Sequence, residues 1–147
     1  MSRDMENDEQ NTPVNADEVG QIERGRREAT AALNDLARTA MGVACRLVAT
    51  QGILALSQAD QSRLRELVET YDVWGDGNDP YAERDFGVIY EARGIGWTTT
   101  KPADDDILER VFWKIDYYDL TLKWGSEAPW NSSVTARVLT IMLGSEY

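Results

Sequence analysis

Residues Ile107–Tyr118 (ILERVFWKIDYY) restrict the fold more than any other stretch of the chain. Val111, Phe112, Trp113, Ile115, Tyr117 and Tyr118 make an aromatic and β-branched run that belongs in a central strand. The remaining elements have to be arranged around it. Residues 85–91 (DFGVIYE) read as a second strand and residues 93–96 as a hairpin or flexible insertion. Residues 97–106, with a threonine run, Pro102 and three aspartates, read as an exposed excursion between two paired strands. Residues 120–124 (LTLKW) alternate apolar and polar, which predicts an antiparallel neighbour.

Upstream, residues 19–41 lack proline and put Ile22, Ala29, Leu33, Leu36, Ala37 and Ala40 on approximately one helical face, with Arg24, Arg26, Arg27 and Arg38 outside. Gly42 should end this helix. Residues 45–50 (CRLVAT) have the look of a short strand, and Gln51-Gly52 reads as a turn. Ser57 with Asp60 resembles a capping box that opens a helix with Leu64, Leu67, Val68 and Tyr71 on its inner face. Residues 72–80 (DVWGDGNDP) predict a tightly turned loop. Val134, Val138, Leu139, Met142 and Leu143 recur at helical spacing behind Ser133, which predicts a closing helix.

The expected fold class is α+β, a small antiparallel sheet of about four strands with about three helices, in the order α-β-α-β-β-β-α. A length of 147 residues suits one domain, residues 19–147. It follows an acidic flexible tail, residues 1–18, in which Arg3 alone opposes Asp4, Glu6, Asp8, Glu9, Asp17 and Glu18.

Several chemistries are disfavoured at once. Histidine is absent, which removes the commonest general base, the usual partner of a serine or cysteine nucleophile, and the commonest transition-metal ligand. Cys45 is the only cysteine, so no disulfide can form within the chain and a thiolate zinc site is disfavoured. The sequence shows no signal-peptide core and no membrane-spanning run, so the cytoplasm is the expected compartment. A net charge of −11, from 26 acidic and 15 basic residues, repels nucleic acid and anionic membrane and attracts basic protein surfaces.

Carboxylates are the chemistry that remains. Asp72, Asp76, Asn78 and Asp79 invite comparison with a calcium loop, but counting from Asp76 puts Pro80 fifth, Tyr81 at the glycine position and Gly87 where a glutamate should stand. No metal and no cofactor is expected. Gly94-Ile95-Gly96 lacks the third glycine of a dinucleotide motif. Asp79, Glu83, Asp85, Asp116 and Asp119 can collect at one end of a sheet, which keeps carboxylate-dependent hydrolysis as an alternative. The candidate partner-binding residues form two runs, Asp72, Asp76, Asp79, Glu83 and Asp85, then Asp104, Asp105, Asp106 and Glu109.

Residues 78–87 (NDPYAERDFG), 112–119 (FWKIDYYD) and 137–147 (RVLTIMLGSEY) resemble the signatures of a family known as domain of unknown function 3768. The resemblance covers residues 33–147, apart from much of 94–106. It implies a bacterial protein often borne on plasmids and other mobile elements, and brings with it no catalytic residue or ligand. Small acidic proteins of such elements are frequently counter-defence factors. The expected function is thus a non-enzymatic inhibitor or accessory factor, of the anti-CRISPR or antirestriction kind. It would act as a DNA mimic on the basic surface of a CRISPR effector or restriction enzyme, without binding nucleic acid itself. The alternatives are a hydrolase using Asp79, Glu83, Asp85 or Asp116, and a small regulatory interaction domain.

Overall fold

A computed structural model describes residues 15–147, so positions 1–14 of the expected tail lie outside the described residues. The end of that tail is helical: Asn15 caps helix α1 (Ala16–Thr39) by accepting the Glu18 N–H at 2.9 Å, and Asp17 and Glu18 sit in its first turn. Strand β1 (Arg46–Ala49), helix α2 (Gln51–Leu54) and helix α3 (Gln58–Glu69) follow, then β2 (Phe86–Ala92), β3 (Gly96–Thr98), β4 (Ile107–Tyr118) and β5 (Ala136–Leu143). The class is α+β. Five strands rather than four form the sheet, in the order β1-β5-β4-β2-β3, and it is mixed: β1 runs parallel to β5, while the other neighbours are antiparallel. Among the described residues no helix is long and apolar enough to cross a membrane.

The central strand and the helix capped by Ser57 are where the sequence places them, with Ser57 Oγ accepting the Asp60 N–H at 3.1 Å. Four expectations need correction. The closing helix is strand β5: Ser133 is held by Asn131 Oδ1 in a local turn, and the chain extends into a slot between β1 and β4. Residues 120–124 form a loop, because Asp119 Oδ1 gathers the N–H groups of Thr121 and Lys123 and Leu122 turns through φ 61°. Gln51 and Gly52 open α2, whose start is held by Glu146, which accepts the Gly52 N–H at 3.1 Å and the Thr50 hydroxyl at 2.6 Å. Residues 97–106 are partly anchored, since Trp97 pairs in β3 and donates its indole N–H to Asp60 at 3.0 Å.

Helix α1 also presents a different face from the one its apolar residues mark. Thr30, Asn34, Ala37 and Arg38 are buried, whereas Ile22 and Leu36 are exposed. Arg38, expected outside, is 4% exposed and donates to the carbonyls of Val68 and Tyr71 at the end of α3.

Along β4, Val111, Trp113 and Ile115 point one way and join Ile89 of β2, Leu139 and Ile141 of β5, and Leu64, Leu67 and Val68 of α3 in the core. Gly87 of β2 stands opposite Trp113, and a Cβ there would lie 2.3 Å from the indole nitrogen and 2.5 Å from the Tyr71 ring. Tyr71 continues to the outer edge of β2, where its hydroxyl accepts the Val88 N–H at 3.1 Å. Asn78 covers the same edge: its amide donates to Phe86 and Val73 carbonyls and its oxygen accepts the Gly75 N–H. The loop 72–80 thus satisfies an edge that β3, only three residues long, leaves unpaired.

A methyl group at position 87 has no space to enter. Gly87→Ala is expected to lower stability by about 1–3 kcal/mol, whereas Gly77→Ala, with open space around it, changes it by no more than about 0.5 kcal/mol. Urea unfolding of the two variants checks the contrast, and equal midpoints would refute the packing assigned to Trp113.

Candidate functional site

Where β2 begins, three of the expected acidic residues do come together. Asp79 Oδ1 accepts the Arg84 N–H at 2.9 Å, which pins the segment between them. Within it Ala82 and Arg84 adopt φ of 56° and 59°, so two left-handed residues flank Glu83. Such backbone persists only where its surroundings over-determine it. Here the determinant is Asn34 of α1, fully buried, which donates to the Glu83 carbonyl at 2.9 Å and to the Tyr117 hydroxyl at 2.7 Å. Tyr117 in turn donates to Asp85 Oδ2 at 2.9 Å. Arg137 completes the cluster, donating Nε to Asn34 Oδ1 at 2.8 Å and a terminal nitrogen to the Pro129 carbonyl, with its guanidinium over the Tyr117 ring.

Burial dominates the electrostatics of this cluster. It raises the pKa of Asp85 despite the Tyr117 hydrogen bond, pushes the Tyr117 phenol far up, and lowers that of Arg137. Glu83 is raised by burial and then by Asp85 and Asp79, against a lowering by Arg27. Asp35 ties the neighbouring cations, bridging Arg38 at 2.5 Å and Arg84 at 2.8 Å, and the Trp74 ring lies under both guanidinium groups.

Beside this cluster a groove of about 360 Å³ opens between α1 and the turn at Pro129 and Trp130. The Arg26 guanidinium lies 4.2 Å from the centre of the Trp130 ring, and Arg27, Glu23, Glu83 and Tyr81 complete the walls.

The second acidic run lies at the other end of the sheet. Asp104–Asp106 form a 3₁₀ turn ahead of β4, and Glu109 stands directly across the ladder from Glu91. Like charges in that relation are unfavourable. The cations nearby are held loosely, Lys101 at 3.8 Å from Asp104 and Arg93 at 3.9 Å from Asp106. Six residues of extended chain separate Asp85 from Glu91, roughly 20 Å, so Asp79, Glu83 and Asp85 form a patch separate from that of Glu91 and Glu109. Asp72 and Asp76 are exposed on the intervening loop.

Of the carboxylates considered for hydrolysis, Asp116 pairs with Lys114 at 2.8 Å and lies on the opposite sheet face from Trp113 and Tyr117. Asp119 is engaged by its own loop. Among the described residues no group of three or more potential ligand side chains is placed to hold a metal ion. Asn34 and Trp130 carry no signal in the sequence, and Arg38 is expected there on the outer face of its helix. One signal was present for Arg137, a lone charge at the head of an otherwise apolar β-branched run.

Asp85 binds its proton more tightly in the fold than in the unfolded chain, whose ordinary value is 3.8. Its contribution to stability is therefore fully present below that value and is lost as pH rises through the raised one. Asp85→Asn removes this loss, so the stability of the variant relative to the parent should rise between acidic and neutral pH. Urea midpoints measured across that range check it, and a constant difference would overturn the assigned environment.

No curated protein and no solved structure matches the chain. The family described as Protein of unknown function (DUF3768) matches residues 49–146, from the last residue of β1 to the final turn. That span contains Glu83, Asp85, Tyr117, Arg137 and the whole β2–β4–β5 ladder, and it makes this chain a member of the DUF3768 family.

Proposed function

We propose that the protein is a non-enzymatic binding protein whose acidic end occupies a cationic, phosphate-binding groove on a protein or nucleoprotein partner. The observation that carries this reading is the Glu91–Glu109 cross-strand pair beside Asp104–Asp106. A sheet gains nothing from two glutamates facing each other; among the described residues neither forms an ion pair, Glu109 accepting only the Arg110 N–H at 3.0 Å, and the cations beside Asp104 and Asp106 stand at 3.8 and 3.9 Å, beyond ordinary hydrogen-bond length. Negative charge displayed at that density is complementary to surfaces that hold nucleic-acid backbones.

CRISPR effectors and restriction enzymes carry such grooves, and a rigid sheet end presenting carboxylates would act there as a DNA mimic, on behalf of a mobile element in a bacterial host. The internal engagement of Asp79, Asp85 and Asp116 supports binding over hydrolysis, because these carboxylates already serve a backbone amide, a phenol and a lysine. Asp72, Asp76 and Glu83 then fall outside the contact, which centres on Asp104, Asp105, Asp106 and Glu109.

The test is inhibition of DNA cleavage by a panel of purified CRISPR effectors and restriction endonucleases, each titrated with the protein. Inhibition of at least one is expected, weakening as salt rises. Simultaneous Asp104→Lys, Asp105→Lys and Asp106→Lys should reduce affinity at least about tenfold without unfolding the domain, while Asp72→Lys with Asp76→Lys leaves it unchanged. Absence of any complex at low salt, or full activity of the triple variant, refutes the proposal.

A further inference from the structure

The groove between α1 and the Pro129–Trp130 turn lies at the opposite end of the sheet from the acidic rim and is independent of it. Its volume of about 360 Å³ is within the range of small-molecule sites. The lining differs from the rest of the surface in charge: Arg26 and Arg27 offset Glu23 and Glu83, in a protein of net charge −11. Among the described residues neither Arg26 nor Arg27 forms an ion pair.

Three features define what would fit. First, Trp130 with Arg26 stacked on it, and Tyr81 standing 68% exposed at the rim, offer flat surfaces for a planar ring. Second, Glu83 is half-buried, held by the left-handed residues on either side of it and by the hydrogen bond from Asn34 to its carbonyl. A carboxylate carried on a backbone fixed in this way matches an edge with two adjacent N–H donors and repels one that alternates donor and acceptor. Third, Arg26 and Arg27 supply guanidinium donors for an anionic group beyond the ring.

We propose that this groove binds a guanine mononucleotide, with the base stacked at Trp130, its N–H edge on Glu83 and its phosphate on Arg26 and Arg27. Guanine is the base that places two donors side by side on one edge; adenine, cytosine and uracil each set a donor beside an acceptor. The overall charge works against a polyanionic strand, whereas the locally balanced lining accommodates one phosphate. Raising of the Glu83 carboxyl by burial and by Asp85 and Asp79 is consistent with a group that lacks donors until a ligand brings them.

Calorimetric titration of the full chain with guanosine monophosphate, adenosine monophosphate and inorganic phosphate, at one ionic strength, tests this. Saturable one-site binding of guanosine monophosphate is expected, with adenosine monophosphate at least about tenfold weaker and phosphate alone not binding. Glu83→Gln should erase the preference between the two nucleotides, and Trp130→Ala should abolish binding while Trp130→Phe retains it. If Trp130→Ala unfolds in a thermal melt, Glu83→Gln and Trp130→Phe still decide. Equal binding of phosphate would reduce the groove to an anion site, equal binding of both nucleotides would remove Glu83 from recognition, and no binding would remove the site; each overturns the proposal. None of these outcomes bears on the acidic rim.

Discussion

The fold depends on one act of packing, the insertion of the Trp113 indole into the space above Gly87. The ring is fully buried and meets Tyr71 and Trp74 edge-on, at centroid distances of 5.3 and 5.9 Å. This contact fixes the register of β2 on β4, because only glycine opposite the indole permits the two backbones their normal spacing. Its indole nitrogen has no hydrogen-bond acceptor. Burying such a donor costs about 1–3 kcal/mol, less than the roughly 3–5 kcal/mol typically lost when a buried tryptophan is truncated, so packing prevails. From Tyr71 the same cluster reaches the outer edge of β2, and from Trp74 it reaches Arg38 and Arg84. Core and polar cluster are thereby joined through aromatic rings.

How legible this was in the sequence varied by element, for physical reasons. Strand β4 could be read because its aromatic density has no comfortable place in a helix, and helix α3 because its cap and apolar stripe agree. Strand β5 could not. It lies between β1 and β4 with Leu139 and Ile141 buried on one face and Met142 on the other, so its apolar residues do not alternate cleanly and happen to match a helical interval. The β-branched Val138, Thr140 and Ile141 pointed to the strand, and parallel pairing with β1, remote in sequence, decided it. Helix α1 failed differently. Its buried stripe joins Ala37 to Thr30, Asn34 and Arg38, polar residues that hydrophobic patterning assigns to solvent, because their burial is licensed by partners elsewhere in the chain.

The same distinction organises the carboxylates, which composition alone treats as equivalent. Asp35, Asp60, Asp79, Asp85, Asp116 and Glu146 each satisfy a donor inside the structure. Glu91 and Asp104–Asp106 are placed where their mutual repulsion is tolerated. A net charge says how much negative potential the protein carries; only the fold says which part of it remains for a partner. Of the two acidic runs in the sequence, Asp79, Glu83 and Asp85 belong to a knitted cluster at one end of the sheet, while Asp104–Asp106 and Glu109 form a rim at the other whose cations are held loosely.

Helix α1 lies outside the residues matched to the family, yet it is integral to the folded chain. Without Asn34, the Glu83 carbonyl would lose a donor, and the buried Arg137 would keep only the Pro129 carbonyl as a hydrogen-bond acceptor. Leaving a buried cation with so few partners is among the costlier defects a protein can carry. The family-matched sheet therefore needs a polar group delivered from the helix side at this point. In this chain the helix that delivers it also brings Arg26 and Arg27 to the groove. Whatever that groove holds, its walls are built jointly by α1 and by the loops that precede β2 and β5, so specificity can change with the helix while the family-matched loops stay fixed.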